Sequence, residues 1–312
     1  MKREDLKNKI LVVGELSEKR IVRSNVGTAN ESISLTLTVK TGECESHEIS
    51  FFSYKYTMNE NKERLTANNV SKMFTGYETV ANEYKAYLTT TVINKEEQPK
   101  IVGEEAEIVE VTGSLRVNRY VNKEGKLIEV PQLNGRFCSR PKGKVEKFGA
   151  SWDCHIFIRE ITEKEDVTGE YILVKGIVVD YTEEEYEFRI YNDKVKKAFT
   201  SIYSEKEAAN FEGRIENSVE VSNNQEQEEE DIWGALDVPV RKSTIHRRYF
   251  ELLRGEAKPL DTDDEEHPLS IENAKKYRKN IKEKQEAMIK KHKEAQSKAD
   301  FSSINEDDEE PF

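Results

Sequence analysis

Residues 33–39 read Ile-Ser-Leu-Thr-Leu-Thr-Val, a run in which apolar and hydroxyl side chains alternate strictly. A period of two residues is typical of a β-strand that buries one face, and threonine favours the extended backbone. Two nearby runs, residues 10–13 and 49–56, predict further strands. The first part of the chain is therefore expected to be a β-sheet with one buried face.

After the third strand the period changes. Between roughly 59 and 90, large apolar side chains recur near helical spacing, which predicts a helix. Residues 107–121 and 126–139 then predict two strands, joined by a short Asn/Gly-bearing turn typical of a hairpin. Three strands, a helix and two strands is the order of an OB-fold barrel. An α+β meander has the same order, so the order alone leaves that alternative open.

A shorter version of this order follows and predicts a second, smaller OB-like domain. Its strands are expected at 154–161, 171–181, 185–191 and 211–221, with a short helix at 193–201.

The polar, acidic stretch that begins at Asn223 is typical of a linker. We expect the remainder to be a largely disordered tail with one charged helix, capped by Ser270 and extending to about residue 298. These boundaries give three regions: 1–149, 150–222 and 223–312. The fold class expected from them is mainly β.

Composition narrows the class of protein. The chain has 312 residues, a formal net charge of −12 and 35% charged residues. No run approaches the roughly 18 apolar residues of a membrane span, and the charged start leads into no signal-like apolar segment. Its three cysteines are too few for a disulfide framework and suit a reducing compartment. We therefore expect a cytoplasmic location.

The predicted hairpin is strongly basic, and aromatic residues lie among its cations. Between 113 and 149 there are nine basic and three acidic residues. The candidate contacts here are Arg116, Arg119, Tyr120, Lys123, Lys126, Arg136, Arg140, Lys142, Lys144, Lys147, Phe148 and Trp152. Strict alternation places Leu133 and Phe137 on one face of the second strand and Arg136 and Arg140 on the other. Single-stranded nucleic acid is bound by this combination, because cations follow phosphates and rings stack on bases. A merely solvated hairpin has the same composition.

The third strand adds an aromatic series. If Ile49 and Phe51 face the core, then Phe52, Tyr54 and Tyr56 form an outward ladder on which bases can stack. A shift of one residue would reverse every side chain, so the inverted assignment stays open.

The chain ends in an acidic peptide. Asp307, Asp308, Glu309 and Glu310 are followed by Pro311 and a terminal Phe312. A ring, an α-carboxylate and an acidic run together fit a small apolar pocket with a basic rim, a recurrent way of capturing a C-terminus. Trp233, in the same tail, is a second candidate partner anchor. A solubilising acidic tail is the alternative.

This ending resembles the acidic tip of bacterial and bacteriophage single-stranded DNA-binding proteins. The resemblance implies an OB-fold that coats single-stranded DNA, and a tip that recruits replication, recombination and repair proteins. It carries over to Asp307, Asp308, Glu309, Glu310, Pro311 and Phe312 only. A bacteriophage origin would place the protein in the host cytoplasm.

Catalytic and metal-binding patterns give no support for an enzyme. No phosphate-binding loop, dinucleotide fingerprint, nucleophile elbow or zinc-protease motif is present. Cys44 and His47 form a C-x-x-H, but Cys138, Cys154 and His155 do not complete a standard zinc spacing. We expect no catalysis, no cofactor, no metal, no small-molecule substrate and no membrane partner.

The expected function is thus to coat single-stranded DNA without sequence preference. Two alternatives stay open: a non-enzymatic phage assembly or interaction protein built of β domains, and an RNA-binding OB-fold protein. The latter would have to read the 2′-hydroxyl.

Overall fold

The structure is a computed structural model that describes residues 1–58, 69–223 and 242–304. The described chain is mainly β, as predicted. Its strands are β1 (Asn8–Ser24), β2 (Ser32–Lys40), β3 (Ser46–Tyr54), β4 (Leu88–Ile93), β5 (Glu96–Glu97), β6 (Ile101–Val102), β7 (Ile108–Val121), β8 (Leu127–Ser139), β9 (Gly149–Asp166), β10 (Gly169–Val179), β11 (Glu183–Ile190), β12 (Ala208–Asn223) and β13 (Lys242–Gly255). Its α-helices are α1 (Lys72–Glu83), α2 (Asp193–Ile202) and α3 (Ile271–Ile304).

The first five long strands close into a ring, here called ring 1. The order is β1–β2–β3–β8–β7, and β7 pairs back onto β1. All pairs are antiparallel except β3 with β8, which is parallel. Since α1 lies between the third and fourth ring strands, the predicted OB-like order is confirmed. Alternate residues of β2 and β3, such as Leu35, Leu37, Ile49 and Phe51, fill the interior.

Helix α1 closes ring 1 and is shorter than predicted. Ser71 caps it by accepting a hydrogen bond from the backbone N–H of Phe74. At its other end the buried Lys19 donates to the carbonyls of Ala81 and Tyr84, each at 2.6 Å. Leu88, which fits the helical period, instead begins β4, a strand parallel to β1. Residues 59–68 of the predicted helix lie outside the described residues.

A second ring, ring 2, repeats the same pattern. Strands β9–β10–β11–β13–β12 are paired in that order, with β12 returning to β9 and only β11–β13 parallel. Helix α2 again lies between the third and fourth strands. Pairing of β1 with β9 joins both rings into one continuous sheet.

The tail prediction is wrong for residues 242–255, which form β13. Strand β13 supplies the fifth strand of ring 2 and buries Phe250 and Leu252. The next segment packs Leu269 and Ala274 against Val179 on the outside of that ring. Local composition misses this because charged residues such as Arg247, Arg248 and Glu251 are interspersed among the buried apolar residues of β13.

Helix α3 begins where predicted. The Ser270 hydroxyl accepts a hydrogen bond from the backbone N–H of Asn273 at 3.3 Å, which confirms the cap. Among the described helices, none is long and apolar enough to cross a membrane.

Candidate nucleic-acid interface

The outer face of β2 and β3 carries an exposed aromatic pair. Phe52 and Tyr54 are 52% and 37% exposed, whereas Phe51 is buried. Their rings meet edge to face, with centroids 4.9 Å apart. Small side chains flank them, because Ser34 and Ser32 of β2 are their cross-strand partners. The outward orientation predicted for Phe52 and Tyr54 is confirmed, and the inverted assignment is wrong.

Tyr56 lies just past β3, where its backbone bridges to Val70. It is half-buried, with the Lys55 ammonium 5.6 Å from its ring centre. Lys55 pairs with the buried Glu31 at 2.9 Å. Glu31 ends the β1–β2 loop, so this ion pair fixes that loop beside the aromatic pair. In OB-folds the strand 2–3 face and this loop are usual oligonucleotide contacts.

A β-bulge on β8 changes the prediction for Phe137. Thr112 pairs with Phe137, but the next residue Gly113 pairs with Gly135, so Arg136 is an extra residue. The extra residue reverses the alternation, and Phe137 is 59% exposed instead of facing inward with Leu133. Its ring lies 5.4 Å from the Arg136 guanidinium. Strict alternation could not reveal this; the glycine at 135 is the available signal, because a Cβ there would lie 2.2 Å from the Phe51 ring.

The far end of the β7–β8 hairpin carries further candidates. Tyr120 is 48% exposed, Arg116 is half-buried, and Lys123 and Lys126 are exposed at the turn. Asn122 orders that turn by accepting from the backbone N–H groups of Glu124 and Lys126. Gly125 has a φ of 78°, which favours glycine. Gln132, opposite Arg116, donates to Ser50 on the outer face of β3, so the hairpin surface continues that face.

Arg119 does not belong to this surface. Its guanidinium lies 2.5 Å from Glu129 across the hairpin and 2.5 Å from Glu184 of ring 2, with 10% of the side chain exposed. Burial by itself would lower the pKa of Arg119, but the hydrogen bonds to the two carboxylates outweigh burial and raise it. Arg119 is therefore a link between hairpin and ring 2. Odd-numbered positions of β7 face inward, which places it on the face of Leu115.

The cations that remain lie at the end of β8 that is away from the hairpin turn. Lys142, Lys144 and Lys147 are exposed in the connection between β8 and β9, at the opposite end of β8 from the turn. The 13 residues of β8 place these three lysines about 40 Å from Lys123 and Lys126 at the turn. Arg140 begins this connection and makes a two-point ion pair with Glu107 at 2.9 and 3.1 Å. That hydrogen bonding raises the pKa of Arg140.

The prediction that Trp152 contacts DNA is wrong. Trp152 is 2% exposed, its ring packs 4.7 Å from Phe188, and its indole N–H donates to the carbonyl of Arg214. It belongs to the core of ring 2, because it lies on β9, the first strand of that ring. Phe148 is half-buried at the start of that strand.

The equivalent outer face of ring 2 is covered. Ile177 and Val179 of β10 are buried beneath Leu6, Leu269 and Ala274. Neighbouring β11 presents carboxylates, and Glu183 is already paired with Arg3 and Lys284. Ring 2 thus lacks the open aromatic face that ring 1 has at its second and third strands.

The two histidines considered as metal ligands already have hydrogen-bond partners. His47 contacts Glu45 at 3.2 Å, and His155 accepts a hydrogen bond from the backbone N–H of Lys7. Burial raises the pKa of Cys138 to about 12, so its thiol stays protonated. Within the described residues no cluster of three or more potential ligands forms. Trp233 and the acidic tip from Asp307 to Phe312 lie outside the described residues.

Comparisons with known proteins give a family and two similar structures. A model of the YorF family matches residues 7–294. The wild-type single-stranded DNA-binding protein from Thermus aquaticus aligns with a TM-score of 0.46 and 12% identity, covering 82% of this chain and 94% of that one. A deletion mutant of that protein gives 0.47 and 13%, covering 84% and 98%. No curated protein matches the sequence. At these TM-scores the structural likeness carries no functional argument.

Proposed function

This chain belongs to the YorF family, and we propose that it is a non-enzymatic protein that binds single-stranded DNA without sequence preference. Ring 1 is the binding unit, through the face formed by Phe52, Tyr54 and Phe137 and the hairpin residues Arg116, Tyr120, Lys123 and Lys126.

One observation carries this proposal: exposed aromatic side chains and cations share one continuous face of ring 1, whose strand order is OB-like. Phe52, Tyr54 and Phe137 are all more than one third exposed, and a group of exposed apolar side chains on one face, unlike a single one, is typical of an interaction site. Stacking of a base on such a ring contributes about 1–3 kcal/mol and accepts any base. From Arg136 to the turn at Lys126 the hairpin extends about 33 Å, which accommodates several nucleotides.

The direct test is an anisotropy titration with a labelled dT strand of about 35 nucleotides, its duplex and the RNA equivalent, each at two salt concentrations. We expect binding to dT that exceeds duplex binding and weakens with salt. Tighter binding to RNA would favour the RNA-binding alternative. Absence of binding to all three would refute the proposal and favour an assembly or interaction protein.

The acidic tip, Asp307 to Phe312, is proposed to recruit DNA-processing proteins in replication, recombination or repair. This part rests on the sequence, in which five consecutive acids, Glu306 to Glu310, are followed by Pro311 and Phe312. A synthetic peptide of residues 304–312 used as bait against an extract of the cell in which the protein is made should retain DNA-processing proteins. A peptide that lacks Phe312 should retain none of them; equal retention by both peptides would contradict the role of the tip.

A further inference from the structure

Helix α3 presents a second basic surface, which is separate from the face of ring 1. Positions 275, 278, 279, 282, 286, 289, 290 and 293 recur at spacings of three and four and so lie on one flank. Six of them are cations and one is an acid, Glu286; a second acid, Glu272, lies on the same side of the helix, five turns before Lys290. We call these nine positions the basic flank. Its cations are Lys275, Arg278, Lys279, Lys282, Lys290 and Lys293, all exposed.

The basic flank is left open by the way the helix packs. The seam that contacts the protein consists of Ala274 and Ile281, both buried, with Tyr277 and Gln285 beside them. The opposite flank carries three cations, Lys276, Lys284 and Lys291, together with two acids, Glu283 and Glu294. Positive charge is therefore concentrated on one side, whereas a merely solvated helix needs no such asymmetry.

Pairing within the helix does not neutralise the flank. Lys275 lies 2.7 Å from Glu272, Lys279 is 3.8 Å from Glu283, and Lys290 is 4.0 Å from Glu294. The side chains of these three lysines are 67–79% exposed. Ion pairs at exposed positions are weak, so a phosphate can displace them.

The helix is attached to the DNA-binding hairpin. The Gln285 amide donates to Glu129 of β8 at 3.0 Å, and Lys284 pairs with Glu183 of β11 at 3.4 Å. From that contact Lys126 is three strand residues away, about 10 Å, and Lys293 is eight helical residues away, about 12 Å. A strand leaving the hairpin turn therefore has about 25 Å to cross before it reaches Lys293 at the far end of the flank.

We propose that the basic flank of α3 binds the phosphate backbone of single-stranded DNA that continues past the hairpin, and so lengthens the footprint beyond ring 1. The inference rests on the proposed function, because ring 1 must first hold the strand. It predicts a contact made only by long strands.

Two double variants with the same charge change test this proposal. Lys282→Gln/Lys293→Gln removes two cations from the flank, and Lys276→Gln/Lys291→Gln removes two from the opposite flank. Both leave the buried seam intact, and far-ultraviolet circular dichroism verifies the helix. Affinity is measured by anisotropy with dT strands of about 8 and about 35 nucleotides over a range of salt.

For the long strand, we expect the flank variant to bind about 3- to 10-fold more weakly at low salt, with a salt slope reduced by about 1.4. The opposite-flank variant should change less than about 2-fold, and neither should alter binding of the short strand. Equal effects of both variants, or none, would overturn the inference while leaving ring 1 binding intact. Tighter binding by the flank variant would mean that the flank holds an acidic segment of this chain, which also overturns it. No binding of either strand by the unchanged protein would refute the proposed function itself.

Discussion

Phe52 and Tyr54 are the residues on which the proposed function depends most directly. Because stacking contributes about 1–3 kcal/mol per base, Phe52→Ala and Tyr54→Ala are each expected to weaken dT binding by about 5- to 150-fold. Tyr181→Ala is the control, since Tyr181 is 79% exposed but lies at the β10–β11 turn of ring 2. Affinity is measured by fluorescence anisotropy. An equal loss for Tyr181→Ala and Phe52→Ala would contradict the assignment of the binding face.

Phe137 makes a separate prediction, because only the structure places it on the surface. Phe137→Ala should weaken dT binding by a similar factor with little change in thermal stability, since its ring is 59% exposed. Binding and melting temperature are compared for this variant and for Leu133→Ala. Leu133 is buried, so its truncation should lower stability by about 2–5 kcal/mol. A Phe137 variant that melts early and binds normally would contradict the exposed orientation.

His47 gives the molecule a dependence on pH. Burial lowers its pKa to about 4, against 6.5 for an ordinary histidine, although Glu216 opposes the shift. Between pH 6.5 and pH 4, His47 is protonated in the unfolded chain and neutral in the folded chain. The free energy of unfolding therefore falls as pH decreases through that range. The full shift corresponds to about 3 kcal/mol.

The variant His47→Gln should therefore lose less stability than the unchanged protein between pH 6.5 and pH 4.5. Denaturant midpoints at the two pH values provide the measurement. Glu45, 3.2 Å from His47, has a raised pKa because of burial and of Glu216, and its titration acts in the opposite direction. Because Glu45 is present in both proteins, the comparison with His47→Gln subtracts the contribution of Glu45 to the pH dependence. The same decrease in both proteins would show that His47 does not carry the dependence.

Individual side chains were predictable from sequence only where alternation is regular. The third strand is regular, so alternation left two inverse assignments, and the burial of Ile49 and Phe51 selects the one in which Phe52 and Tyr54 point outward. On β8 the extra residue Arg136 reverses the pattern, which misplaces Phe137. Trp152 was misplaced for a different reason: proximity to the basic segment suggested a surface role, whereas its strand pairs with β12 and β1 in the interior.

The β7–β8 hairpin is the element that connects the binding face to the rest of the molecule. Glu129 accepts from both Arg119 and Gln285, and the guanidinium of Arg248 donates to the carbonyl of Pro131 at 2.9 Å. The hairpin is therefore held by ring 2 and by α3 on one face, while the other stays open. A DNA-binding arm that is fixed before binding loses less entropy on binding.

Removing Arg119 should accordingly affect stability more than charge neutralisation at the surface. Arg119→Ala leaves Glu184, 11% exposed, without its partner and is expected to cost about 2 kcal/mol of folding free energy. Arg116→Ala should cost less than about 1 kcal/mol but weaken DNA binding directly. Urea unfolding and dT titration of both variants separate the roles. Normal stability with strongly reduced binding for Arg119→Ala would identify it as a DNA contact.

Element order was predictable for most of both rings, because their strands have clear periods and turns. The fifth strand of ring 2 was missed. Residues 224–231 form an acidic, polar stretch ahead of this strand, and β13 mixes His246, Arg247 and Arg248 with its buried residues. Only pairing with β12 and β11 makes that segment a strand, and long-range pairing is not visible in local composition.

For the molecule as a whole, the folded unit extends well past the boundary suggested by composition. A chain ending at residue 222 lacks β13, whose Phe250 and Leu252 each contribute about 1.5–3 kcal/mol by burial. We expect this truncation to lose the cooperative unfolding of ring 2, whereas a chain ending at residue 304 should keep the full melting temperature. Differential scanning calorimetry of both truncated chains measures the melting temperature and the cooperativity of unfolding. A shorter chain that melts normally would contradict the five-stranded ring 2.

The two rings share one topology but differ in what covers them. Ring 1 exposes aromatic side chains and cations on its second and third strands and its hairpin. In ring 2 the equivalent face is covered by Leu6, Leu269 and Ala274. An even distribution of binding over both rings is therefore not expected. The central claim is that DNA lies on the outer face of ring 1.

Photo-crosslinking tests this claim most directly. A single strand of about 35 nucleotides that contains iodouracil, which couples to nearby aromatic side chains on irradiation, is bound to the full chain, and the crosslinked peptides are located by mass spectrometry. We expect crosslinks at Phe52, Tyr54, Phe137 and Tyr120. Crosslinks confined to ring 2, or none under conditions of saturating DNA, would contradict this claim.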